Sequence, residues 1–132
     1  MIVVDCSVIF ALVVPLDAYH PLALKTRQRD PDWHAPGLFR SEFRSVAAGH
    51  LRRGEPPAHV LAAAANAELA VLAHEVTDQE VFAVVQESPL SAYDAEYVGL
   101  ARRLACSLVT TDRVILEHYP HLAIRLQDFA QA

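Results

Sequence analysis

A chain of 132 residues, 53% apolar and 20% charged, has the size of one compact domain with a real hydrophobic core. No low-complexity run, Gly/Ser-rich linker or internal repeat divides it, which excludes a disordered or modular protein. The net charge of −5 argues against a broad basic surface that grips nucleic acid by charge alone.

The chain opens on Ile2 to Val4, a short β-branched run that ends at Asp5 and reads as a buried strand. Although Met1 to Leu16 is apolar, it lacks a basic leader, contains Asp5, ends at Pro15 and is shorter than the about 20 apolar residues of a bilayer span. The expectation is a soluble, cytoplasmic protein without a membrane segment. Ser7 is the expected cap of a helix over Val8 to Val14, followed by a second helix over Asp17 to Arg29 and a short strand at Trp33 to Ala35. A third helix runs from Leu38 to Arg53 and stops at Gly54, with Arg52 and Arg53 suited to its C-terminal dipole.

After Pro56 and Pro57, the Ala-rich stretch Ala58 to Ala73 predicts a helix, and Glu75 to Thr77 a short strand. Asp78 is the expected cap of a helix to Glu87, and Ser91 begins another through Leu104. Ser107 to Thr111 reads as a strand, Arg113 to Tyr119 as a short helix and Ala123 to Leu126 as a last strand. Strands alternating with helices imply parallel pairing through right-handed crossovers. The fold class is therefore α/β, a three-layer α/β/α sandwich around four or five parallel strands, all in one domain spanning residues 1–132. Cys6 and Cys106 fall at opposite ends of such a sheet, beyond the ~7 Å Cα separation of a disulfide, and are expected as reduced thiols.

In an open parallel sheet, ligands bind beyond the carboxyl ends of the strands, and Asp5 and Asp112 close two of them. Glu42 lies beside the helical stripe Phe39, Phe43, Val46 and His50, so its charge borders the interior. Asp94 heads the row Asp94, Val98, Ala101 and Ala105 at the mouth of another buried face. Capping accounts for Asp5, Asp94 or Asp112 taken singly, Ser91 to Asp94 having the form of a capping box, but not for Glu42. Four converging carboxylates would repel one another and raise their pKa values without a cation. An all-oxygen donor set selects Mg²⁺ or Mn²⁺ over Zn²⁺, and such ions work with phosphates, so phosphodiester hydrolysis is the reaction that fits. The bound ion also cancels part of the net negative charge, and ten of the eleven basic residues are Arg, which pairs with phosphate through two hydrogen bonds.

The segments Ile2-Val3-Val4-Asp5-Cys6-Ser7, Pro36 with Leu38, Glu42 and Phe43, Ser91-Ala92-Tyr93-Asp94-Ala95, and Leu108-Val109-Thr110-Thr111-Asp112 together resemble the PIN domain, particularly the VapC-type toxins of bacterial toxin–antitoxin pairs. The resemblance covers essentially the whole chain and implies a ribonuclease. It implies Asp5, Glu42, Asp94 and Asp112 as metal-binding and catalytic acids, Ser7 and Thr110 as hydroxyls lining the pocket, a homodimer, an RNA substrate and a VapB-type antitoxin. Two features depart from the pattern: Arg113, Val114, Ile115 and Leu116 stand where many relatives have a further acid, and Ser45 where many have Asn. The number of metal ions, one or two, stays open. So does the alternative of a PIN-like protein-binding module with weak catalysis. A haloacid-dehalogenase-like reading fails at Ser7, where a second Asp is needed, and a receiver domain needs a late Lys that is missing, Lys25 being the only one.

Overall fold

The computed structural model describes all 132 residues. Five parallel strands form one sheet: β1 (Ile2–Val4), β2 (Trp33–Pro36), β3 (Val71–His74), β4 (Leu108–Thr110) and β5 (Ala123–Arg125), in the order β3-β2-β1-β4-β5. The chain moves outward from β1 through β2 to β3, then crosses back to lay β4 on the other side of β1. That reversal makes the β1/β4 junction the switch point of the sheet, where a crevice opens at the strands' carboxyl ends. The α/β/α sandwich with a five-stranded parallel sheet is therefore as the sequence predicts.

Eight helices connect and flank the strands: α1 (Cys6–Val13), α2 (His20–Arg29), α3 (Phe39–Arg52), α4 (Pro57–Ala70), α5 (Asp78–Glu87), α6 (Ala92–Leu104), α7 (Arg113–His118) and α8 (Leu126–Gln131). On one face α5 and α6 pack on each other, with α6 against β1, β2 and β4. On the other, α1 packs on α2, α3 and α4, and α8 on α2. The core between these layers includes Val3, Val4, Val8, Ile9, Trp33, Leu100 and Leu108, all buried. No helix is long and apolar enough to cross a membrane.

Several local expectations are corrected. The helix predicted to Ala73 ends at Ala70, and the strand placed at Glu75 to Thr77 lies instead at Val71–His74, where it pairs with Trp33 to Pro36. Sheet hydrogen bonding outweighs the small helix preference of its alanines and leucine. Thr77, not Asp78, caps α5, in a reciprocal capping box with Glu80. Asp5, not Ser7, caps α1, so that helix begins at Cys6 rather than Val8. The last strand ends at Arg125, and Leu126 starts a helix that alternation alone does not announce. On α3 the buried stripe is Phe39, Phe43 and Ala47, whereas Val46 is exposed. Both cysteines are free, as expected.

Candidate active site

Asp5 is the only carboxylate in the core, 8% exposed just beyond β1. Its Oδ1 accepts from the Val8 amide at 3.1 Å, which caps α1, and from the Ser7 hydroxyl at 2.6 Å. Its Oδ2 accepts from the hydroxyl of Thr110, a fully buried residue at the end of the neighbouring strand β4. The registers Val3↔Leu108 and Val4↔Val109 bring the two strand ends side by side. The Ser7 hydroxyl also lies 2.8 Å from that of Thr111; with its own proton committed to Asp5, it accepts from Thr111. Burial pushes the Asp5 carboxyl above the ordinary range, and the donated hydrogen bonds pull the other way.

Asp112 follows two residues past β4. Its amide donates to Thr110 Oγ1 at 2.9 Å, and its Oδ1 accepts from the Ile115 amide at 3.0 Å, capping α7. Thr110 thus bridges the two strand-end acids, donating to one side chain and accepting from the other's backbone.

Glu42 sits in the first turn of α3 and is half-buried. Its Oε1 accepts from the hydroxyl of Tyr97, a buried residue of α6, at 2.5 Å. Its pKa is raised, first by burial and then by the charges of Asp94, Asp5 and Glu96, with the Tyr97 bond opposing. Asp94, half-buried in the first turn of α6, is raised by burial, then by Asp112 and Asp5. The Ser91 hydroxyl accepts from the Asp94 amide at 3.1 Å, but the return bond of a capping box, from the Ser91 amide to the Asp94 carboxylate, is absent. That leaves the Asp94 side chain directed by more than capping.

The four acids named from the sequence thus gather at one end of the sheet, Glu42 feeling the charges of Asp94 and Asp5 and Asp94 those of Asp112 and Asp5, and both hydroxyls, Ser7 and Thr110, touch Asp5. No three of the chain's His, Cys, Asp and Glu side chains stand close enough together to hold a metal ion as they are. Sequence reasoning missed Tyr97, Thr111 and Glu96. Tyr97 had a readable signal, one turn after Asp94 on the same helix, since a buried tyrosine needs a partner for its hydroxyl. Cys6 lies beneath the acids with its Sγ 3.8 Å from the Phe39 carbonyl, and burial with the Glu42 and Asp5 charges pushes its thiol up to about 12, so it is no nucleophile.

Comparison with known proteins identifies the family. The family model described as PIN domain matches residues 2–122. Ribonuclease VapC3 of Pyrobaculum aerophilum is 28% identical over 127 residues, covering 92% of this chain and 96% of the relative. The crystal structure of PAE2754 from Pyrobaculum aerophilum superposes with a TM-score of 0.76 at 24% identity, over 98% of this chain and 93% of that one. The Mycobacterium tuberculosis toxin VapC20, described as cleaving the sarcin–ricin loop, superposes with a TM-score of 0.59 at 23% identity, over 84% of this chain and 88% of its own. With a family model matching residues 2–122, nearly its full length, this chain belongs to the PIN-domain family.

Proposed function

We propose that the protein is a metal-dependent endoribonuclease, the toxin of a VapBC-type pair, that hydrolyses RNA phosphodiester bonds with water. The observation that carries this reading is the gathering of acids at the β1/β4 switch point, where Asp94 and Asp5 bear on Glu42, and Asp112 and Asp5 bear on Asp94. A fold that places half-buried carboxylates such as Glu42 and Asp94 where neighbouring acids raise their pKa values has a ready use for a cation there. The donors are all carboxylate oxygens, which suits Mg²⁺ or Mn²⁺.

In this reading Asp5, Glu42, Asp94 and Asp112 would hold the ion or ions. When bound, such an ion supplies the acidity that activates water near neutral pH and positive charge for the phosphate oxygens. The chain's own residues do the rest. Thr110 and Ser7 fix the Asp5 carboxylate, Tyr97 fixes Glu42, and the helix caps of α1 and α7 hold Asp5 and Asp112 in register with the crevice. Hydrolysis with loss of the 3′ oxygen leaves a 5′-phosphate and a 3′-hydroxyl. RNA, rather than DNA, is supported by the likeness to VapC3, a ribonuclease, and to VapC20, a toxin that cleaves the sarcin–ricin loop. The same relatives support a VapB-type antitoxin as partner; a homodimer and a cytoplasmic location belong to the same proposal.

The second reading, a PIN-like protein-binding module with weak catalysis, is favoured by one observation: no three acids are drawn together tightly enough for a metal. Cleavage of a mixed small-RNA pool with Mg²⁺, with Mn²⁺ and with chelator, run beside Asp94→Asn, decides between them. Metal-dependent cleavage lost in the variant supports the ribonuclease. Folded wild type that leaves every RNA intact under all conditions leaves the binding module.

A further inference from the structure

Beside the acids lies a second cleft of a different character, about 450 Å³, lined by Tyr19, Thr111, Arg113, Leu116, Arg125 and neighbouring residues of α8. Thr111 joins it to the acidic site, since its hydroxyl bonds to Ser7, which bonds to Asp5, while Asp112 stands between Thr111 and Arg113. No carboxylate lines this cleft, whereas Asp17 and Glu55 line the groove beside α1 and Glu68 that between α3 and α4. Arg113 and Arg125 are exposed, and neither has a carboxylate within 4.0 Å or a hydrogen bond to the protein; Arg40, Arg102 and Arg103, by contrast, are each committed to a glutamate. Tyr19, 49% exposed, presents an aromatic ring at the edge. The chain therefore sets two uncommitted guanidiniums and a half-exposed ring next to its acids despite a net charge of −5.

We propose that this cleft is a binding subsite for single-stranded RNA, with Arg113 and Arg125 on a phosphate next to the one cleaved and Tyr19 stacked on a base. The position of the cleaved phosphate rests on the ribonuclease reading above. The guanidinium fork matches phosphate geometry, and base stacking on an aromatic ring requires an unpaired strand. Duplex RNA keeps its bases stacked and has no use for Tyr19.

The test is binding and single-turnover cleavage of a short fluorescein-labelled single-stranded RNA by wild type, Arg113→Gln with Arg125→Gln, Tyr19→Ala and Tyr19→Phe. A control changes Arg52 and Arg53 to Gln; these two are also free of ion pairs but lie about 15 Å along α3 from Glu42. The double Arg variant is expected to weaken binding about tenfold or more at low salt and to reduce the slope of log K against log salt by about 0.7, the value for one phosphate neutralised on a single strand. Tyr19→Ala should weaken binding about fivefold or more, Tyr19→Phe should retain it, and neither effect should appear with duplex RNA. The control should bind as wild type does, and melting temperatures should match throughout. If the Arg and Tyr19 variants bind single-stranded RNA with wild-type affinity and salt slope, the subsite is refuted while the ribonuclease stands. If wild type binds the strand through these residues but cleaves none of it, the subsite stands and the ribonuclease reading falls.

Discussion

The Tyr97 hydroxyl donates to Glu42 Oε1 at 2.5 Å, tying the second turn of α6 to the first turn of α3 across the mouth of the sheet. Tyr97 is 2% exposed, so its hydroxyl has no water to fall back on, and its own pKa is pushed up by burial and by Glu42. The bond opposes the burial and the neighbouring acids that raise Glu42. Tyr97→Phe keeps the ring and removes the donor. It should cost about 1.5–3 kcal/mol, the range for hydrogen bonds to charged groups, and let the Glu42 pKa rise further. In cleavage, the acidic limb of the pH–rate profile should move to higher pH while the fold persists. An unmoved limb would mean that Tyr97 is a packing residue only.

Asp94→Asn should make the metal-free protein more stable. Asp5, Glu42 and Asp94 all have pKa values raised first by burial, and neighbouring acids add to the rise at Glu42 and Asp94. A carboxyl with a folded pKa above its unfolded value near ~4 takes up protons on folding. Its favourable contribution is therefore full below the unfolded value and lost as pH rises through the raised folded one. The melting temperatures of wild type and variant should coincide below about pH 4 and diverge as pH climbs, the variant ending a few degrees higher. Loss of the acid's favourable place at a helix N-terminus, about 0.3–1 kcal/mol, offsets part of the gain. Divalent ion should reverse the order, since a ligand at 100 times its Kd stabilises wild type by about 2.7 kcal/mol. Scanning calorimetry across pH with and without Mg²⁺ reads both effects, and a variant that melts lower at every pH contradicts the repulsion.

The parts of this molecule legible in its sequence are those where one local signal suffices. A buried β-branched run ending in Asp places β1 and Asp5, and 3.6-residue periodicity places α3 and α6 with Glu42 and Asp94 near their mouths. Where two signals competed, the local one misled. Ala58 to Ala73 reads as helix to its end, but Val71 to His74 pairs with β2, a partner about 40 positions away that no window reveals. Contacts between distant segments were invisible for the same reason. The Tyr97–Glu42 bond spans 55 residues and the Thr110–Asp5 bond 105. Arg113 and Arg125 likewise read as ordinary surface charges until β5 is laid beside β4.

The two thiols should differ sharply in reactivity. Cys6 is buried beneath the acids with its pKa pushed up to about 12, so at pH 8 only on the order of one thiol in ten thousand is ionised. Cys106 is half-exposed and raised by burial, but less enclosed. A thiol-specific chromogenic reagent should label Cys106 in the native protein and reach Cys6 only after unfolding. Equal rates at both positions would mean that the floor of the acidic site opens readily to solvent.

Thr110 makes two hydrogen bonds through its single side-chain oxygen, one to each strand-end acid. It donates to Asp5 Oδ2, accepts from the Asp112 amide at 2.9 Å, and is fully buried. Thr110→Val preserves the shape and the strand preference but deprives Asp5 of a donor and strands a backbone amide. Leaving a buried partner unsatisfied costs about 1–3 kcal/mol, so the variant should lose about 2 kcal/mol in urea denaturation. Thr110→Ser keeps the oxygen and loses a methyl group, with a cost of about 1 kcal/mol. Cleavage separates the roles further: with Asp5 less well held and its pKa raised, the valine variant should need more divalent ion for half-maximal rate, and the serine variant should stay near wild type. If valine and serine proteins bind the ion and cleave alike, the hydroxyl bridge holds the fold without holding the acids.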